Sequence, residues 1–205
     1  MIAKYFPSFA TLAAVAVTGC AALAQPASDP DWPCVQRKVS QLSPGLMWAH
    51  PIPEMKLDAE TAAAADDVVA RLVLRRMPLE EVQPALDGFA DAHGGGEAMM
   101  SHLFGESFDK LSHLRTRIMK GIEEYAQKQI ALSKRIDGAR SEMDTLMAAD
   151  DPDYDRVDEL EVQIDWDERI FTDRQRSLTY VCETPVLLEK RLYGIAQMLE
   201  AEIRS

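Results

Sequence analysis

Between Phe104 and Leu146 apolar side chains return every seven residues. One position of the repeat reads Phe104, Leu111, Ile118, Tyr125, Leu132, Ala139 and Leu146. The other reads Phe108, Arg115, Ile122, Gln129, Ile136 and Met143. Steps that alternate three and four over six heptads place both sets on one stripe of an α-helix. A stripe of that width is the seam of a coiled coil. Gly105 and Gly121 lower helix propensity locally but leave the register intact. Within this one chain, the constraint is a long helix that needs another helix beside it.

The rest of the C-terminal half supplies the second helix. The segment "AADDPDYD" interrupts the repeat, and Asp151 followed by Pro152 reads as an N-cap with proline in the first helical position. Val157, Leu160, Ile164, Phe171, Leu178 and Val181 then share one face. Thr184-Pro185 is expected to kink the helix or restart it with a fresh cap, and Leu188, Leu192, Ile195, Leu199 and Ile203 continue to the end. Glu97–Ala149 and Pro152–Arg204 each span 53 positions (149 − 96 and 204 − 151), about 80 Å of helix. The two arms therefore match as an antiparallel hairpin over 97–205, turning near 150–152.

Upstream, residues 58–96 read as two short helices forming a base. Asp58 caps the first, which is expected to run to Arg76 with Val68, Val69, Leu72 and Val73 as its apolar stripe. Pro78 opens the second, Leu79, Val82, Leu86 and Phe89 line it, Pro84 is a candidate kink, and "HGGG" from His93 ends it. Residues 25–57 carry prolines at 26, 30, 33, 44, 51 and 53, which forbid a long helix. Leu46, Met47, Trp32 and Trp48 in the same stretch need burial, so the segment reads as an extended arm on the helices. The expected fold is all-α: a long antiparallel coiled-coil hairpin on a small helical bundle, with an extended Pro-rich N-terminal arm. The base should pack near 97–120 and 185–204, leaving roughly 125–175 to project.

The first 24 residues read as a secretory signal peptide: Lys4, a short apolar run from Phe9 to Val17, and Ala22-Leu23-Ala24 before Gln25. A competing site exists, because Val17-Thr18-Gly19-Cys20 resembles the lipobox of bacterial lipoproteins, in which the cysteine is lipidated. The expected location is the bacterial periplasm, with a lipid anchor at Cys20 as the alternative and membrane contact only in that case. Either route leaves Cys34 and Cys182. In an oxidising compartment two thiols most simply pair. With 22 basic and 34 acidic residues the precursor carries a formal charge of −12, which disfavours nucleic acid as a partner.

Sequence motifs for catalysis are absent: there is no G-x-S-x-G, His-Glu-x-x-His, P-loop or dinucleotide fingerprint. Neither catalysis nor a cofactor is expected. Four histidines are present, at 50, 93, 102 and 113. The densest cluster places Met99 and His102 at i,i+3, His102 and Glu106 at i,i+4, and His113 four residues after Asp109. Thioether and imidazole suit copper or zinc, so Met99, His102, Glu106 and His113 form the candidate metal site. The acidic stretch from Asp150 to Glu168 holds ten acids and one base, Arg156. It fails as a calcium loop, since Arg156 stands where glycine is needed and Val162 where glutamate is.

A second stripe on the return helix, Val162, Trp166 and Ile170, spans about 80° and lies roughly opposite Ile164 and Phe171. It is either a face for self-association or a protein partner, or it is partly buried by rotation of the hairpin. Leu178-Thr179-Tyr180-Val181 resembles the start of the Leu-Thr-x-x-Gln motif of small periplasmic stress chaperones and metal-sensing hairpins, with Cys182 in place of the glutamine. No residue role is carried over from it. The expected function is that of a non-enzymatic assembly, scaffold or chaperone-like protein working through coiled-coil contacts. The alternative is a periplasmic metal binder.

Overall fold

The structure is a computed structural model that describes residues 31–204. The expected signal peptide, its cleavage site and Cys20 lie outside the described residues. Four α-helices follow one another: α1, Ala59–Val73; α2, Gln83–His93; α3, Glu97–Met147; and α4, Tyr154–Ile203. Short 3₁₀ turns stand at Pro44–Leu46 and Leu79–Glu81. The described residues contain no strand, and α3 and α4 pack along each other as the long hairpin.

Several helix boundaries have a visible cause. Asp58 caps α1 by accepting the backbone N–H groups of Glu60 and Thr61, both at 3.0 Å, and the Thr61 hydroxyl at 2.8 Å. The helix stops at Val73, short of the expected Arg76. Arg191 of α4 reaches over its end and donates to the carbonyls of Leu72 at 2.6 Å, Met77 at 2.7 Å and Arg71 at 3.3 Å. The Leu72 carbonyl is one that the helix C-terminus leaves unpaired, the Arg71 carbonyl also accepts the Leu74 N–H at 3.2 Å, and Met77 lies just past the helix. Pro78 opens the 3₁₀ turn, not an α-helix. Pro84 does not kink α2; it stands in its first turn, where a missing N–H costs nothing. Gly94, at φ 95°, ends α2 in a conformation glycine adopts without strain.

The hairpin turn occupies 148–153. The cap of α4 is Asp153, whose Oδ1 accepts the Arg156 N–H at 3.1 Å, and not Asp151; Pro152 therefore stands just outside the helix. At the other end α4 passes through Thr184-Pro185 without a restart, with Pro185 buried inside the helix. One antiparallel register holds along the whole length. Arg115 pairs with Glu189 at 2.7 Å, the Tyr125 hydroxyl donates to the Arg174 carbonyl at 3.0 Å, and the Gln129 amide donates to the Phe171 carbonyl at 3.0 Å. Arg135 pairs with Asp167, and Arg156 meets Glu142 at 2.9 Å.

Apolar burial is divided between two clusters. The base cluster gathers Val68, Val69 and Leu72 of α1, Leu86 and Phe89 of α2, Met100 to Leu111 of α3, and Leu188 to Leu199 of α4. Trp48 joins it from the arm. Its ring stacks on Phe104 with centroids 4.8 Å apart, and its Nε1–H donates to the Ser101 hydroxyl at 3.0 Å. Gly105, which weakens the helix on paper, has a use: a Cβ there would stand 2.7 Å from Cγ2 of Ile52, so the arm lies where only glycine leaves room. The second cluster, in the projection, is Leu132, Ile136, Ala139, Leu160 and Ile164, with Met143, Leu146, Ile170 and Phe171 at its edges. Between the two clusters the buried positions of α3 are Arg115, Met119, Ile122, Ala126 and Gln129, two of them polar and one small.

The Cys34–Cys182 disulfide fastens the arm to α4, with the Cα atoms 5.5 Å apart. Beyond it the arm stays on the surface, from Val35 to Gln41, until Leu42 meets the base cluster. Lys38 reaches Glu123 of α3 at 2.8 Å on the way.

Candidate functional site

The projection beyond the disulfide presents the candidate surface. Val162 and Trp166 of α4 are 71% and 61% exposed. Ile170 parts company with them and packs half-buried against the second cluster, next to Phe171. A straight helix drifts by about 20° per heptad relative to a 3.5-residue repeat. By the third turn that drift brings Ile170 to the edge of the seam and moves Phe171 off its centre. The stripe expected from sequence thus splits into two outward residues and one inward.

The outward pair belongs to a longer pattern. Asp155, Glu159, Val162, Trp166, Arg169, Asp173, Arg176 and Tyr180 follow one another at alternating four- and three-residue steps. All eight are exposed. This is a second heptad line, on the side of α4 turned away from α3. Apolar periodicity does not reveal it in the sequence, because only three of the eight side chains are apolar or aromatic.

Charge along this line is uneven. The stretch 154–168 holds seven acids and one base, and 169–181 holds three bases and one acid. Part of the acidity is answered from α3 and within α4. Arg140 pairs with Glu168, Arg135 with the buried Asp167, and Arg156 with both Glu159 at 3.0 Å and Glu142 at 2.9 Å. The hydrogen bonds that Arg156 donates to Glu159 and then to Glu142 hold its guanidinium pKa above the ordinary value, and the bond to Asp167 does the same for Arg135. Asp155, Asp158, Asp165 and Arg169 form no ion pair with the described residues.

The residues singled out as metal ligands stand on the base half of α3. Met99 packs partly buried on the base cluster, His102 is half-buried, His113 is exposed, and Glu106 pairs with Lys110 at 3.6 Å. Among the described residues no group of three or more His, Cys, Asp or Glu side chains is placed to hold a metal ion. The histidine with the richest surroundings is His50, on the arm. Its Nδ1 lies 3.2 Å from Glu97 and its Nε2 2.8 Å from Glu200, and its ring meets Trp48 edge-on. It ties the arm to the start of α3 and the end of α4 at once. Nothing in the sequence points to this, since the three residues are far apart in the chain. His93 accepts or donates to the Thr61 hydroxyl at 3.2 Å, joining α1 to α2.

Concavities along the hairpin are open grooves between α3 and α4, one lined by Ser133, Asp137, Arg140 and Glu168, the other by Lys128, Arg135 and Arg174. No described helix is long and apolar enough to cross a membrane. Compared with protein-family models, with curated proteins and with solved structures, the chain matches none.

Proposed function

We propose that this chain is a non-enzymatic, exported assembly or scaffold protein, of chaperone-like type, that acts through helix–helix contacts made by its projecting hairpin. The observation that carries the reading is the outer face of α4: Val162 and Trp166 exposed side by side within a heptad line, on an arm the base does not need for its own core. A disulfide that fastens the arm suits an oxidising compartment, which agrees with a periplasmic location after cleavage at Gln25, or a tether through Cys20. The excess of acids favours a protein partner over nucleic acid.

A photo-crosslinking amino acid placed at position 166, and separately at Asp109 on the base, tests this in the intact cell envelope. A discrete protein adduct from 166 and none from 109 is the expected result. Adducts from 109 alone, or none from either site, would overturn it.

A further inference from the structure

The outer line of α4 is self-complementary, and we infer that its occupant is a second copy of this chain, lying antiparallel along it. The inference rests on the reading of the hairpin as an interaction arm and names what that arm holds.

Charge decides the direction. The tip-side half of the line is acidic and the base-side half is basic. Two copies side by side in parallel would set acid against acid. Reversed, each acidic half meets the other copy's basic half, and a two-fold axis makes every favourable contact twice. The register follows from the only two apolar side chains in the middle of the line. Setting Val162 of one copy against Trp166 of the other, with the axis at position 164, encloses all four such side chains in one patch. The same register puts Glu159 opposite Arg169, once on each side of the patch. It also puts Arg176 against the acidic turn at Asp151 and Asp153. Arg169 has no ion pair with the described residues, and Glu159 meets only Arg156. Asp155 would face Asp173, whose charge is already met by Arg176 at 3.7 Å.

Length fits as well. In this register the other copy's turn comes level with residue 176 of α4. The disulfide-held arm lies against α4 at Gln175, Leu178, Thr179 and Cys182. The second copy therefore fills the uncovered part of α4, and its turn, 148–153, comes level with 175–180, alongside the arm. The two bases point away from each other and cannot clash.

Sedimentation equilibrium of the full, oxidised chain at a series of concentrations tests the pairing. A reversible monomer–dimer equilibrium is expected. Trp166→Asp should weaken it by about a hundredfold or more, because each dimer loses two central aromatic anchors. Glu159→Arg alone and Arg169→Glu alone should each weaken it by about tenfold. An equimolar mixture of those two variants should restore it, since both cross-copy contacts then join opposite charges. A parallel pair would set 159 against 159 and 169 against 169, like charges already in the wild type, so it would show no loss from either single variant. Circular dichroism of each variant establishes that the hairpin is folded. A folded wild type that stays monomeric at every concentration would overturn the inference. So would dimers that ignore Trp166→Asp, or single variants that their mixture does not rescue. If the wild type is monomeric yet position 166 still crosslinks to another protein in the envelope, self-pairing fails while the assembly function stands.

Discussion

Removing the disulfide, as Cys34→Ser with Cys182→Ser, should cost less than its length suggests. The bridge joins residues 148 positions apart. Chain entropy alone gives about 5 kcal/mol for restraining an unfolded loop of that size. That figure assumes both cysteines stay in place in the folded state when the bond is cut. Here they do not need to. Residues 35–41 are exposed, and the arm's first hold on the base cluster is Leu42, eight positions past Cys34 (42 − 34). The Lys38–Glu123 ion pair within this stretch is part-exposed and weak, so cutting the bond loosens that tether in the folded protein too. The relevant quantity is the difference between closing a loop of 148 residues and one of eight, (3/2)RT ln(148/8), about 2.6 kcal/mol. For a chain of this size that is a melting temperature lower by about 5–10 °C. Urea unfolding reads it through the buried Trp48, in a background carrying Trp32→Phe and Trp166→Phe. Limited proteolysis should cut the variant within 35–41 while the base stays intact. A loss near 5 kcal/mol with no new cleavage would refute the reasoning, because the arm would then be held without the bridge. So would a loss below about 1 kcal/mol.

Four further outcomes follow from contacts in the base and seam. Arg115, buried in the seam against Glu189, should tolerate Met within about 1 kcal/mol but lose about 2–3 kcal/mol as Ala, measured by urea unfolding; equal losses would show that the ion pair, which both variants remove, carries the contribution and the packed side chain does not. Trp48→Phe keeps the stack on Phe104 but leaves the buried Ser101 hydroxyl unpaired, for about 1–2 kcal/mol, against about 3–5 for Trp48→Ala. Arg191→Lys cannot fork to three carbonyls and should cost about 1.5–3 kcal/mol, with faster amide exchange in the last turn of α1. The Thr61 backbone N–H and hydroxyl, with the Glu60 N–H, hold the Asp58 carboxyl below its ordinary value of 3.8. A lowered folded-state pKa stabilises above the unfolded value and is lost as pH falls through the folded one, so the effect fades below about pH 4. Between about pH 5 and pH 2.5 the wild-type melting temperature should fall more steeply than that of Asp58→Asn, and parallel curves would exclude the cap as its source.

The hairpin was legible because its signal is long. Six heptads leave one stripe to bury, and Leu132, Ile136, Ala139, Leu160 and Ile164 lie where that stripe places them. The pairing of Cys34 with Cys182 was legible by elimination. Boundaries were less so. Asp151 and Asp153 are equally good caps in isolation, and the choice depends on how the turn closes. The end of α1 at Val73 is capped by Arg191, more than a hundred residues away, a contact no local pattern reveals. Thr184-Pro185 carries the signature of a restart, yet packing of Leu188 and Leu192 in the base outweighs one missing backbone hydrogen bond. The surface was half legible. Val162 and Trp166 stood out as apolar, but Glu159, Arg169 and Arg176 look like ordinary solvated charges until their spacing along the same line is counted.

The gap between the two apolar clusters has a consequence for how the molecule comes apart. Cooperative melting needs each turn of helix to lose something when its neighbour opens. Across 115–129 the seam mixes the buried Met119 and Ile122 with polar Arg115 and Gln129 and the small Ala126, and these belong to neither cluster, so the penalty for leaving one side folded while the other opens is lower there than inside either cluster. The projection should therefore unzip from the tip as a unit of its own, and the opening front should stop at the level of the Cys34–Cys182 bridge. Seen by amide exchange, the long helices would show two plateaus of protection and not one. The protein would then hold its base intact while its far half samples open states, so the projection folds and refolds without putting the rest of the chain at risk.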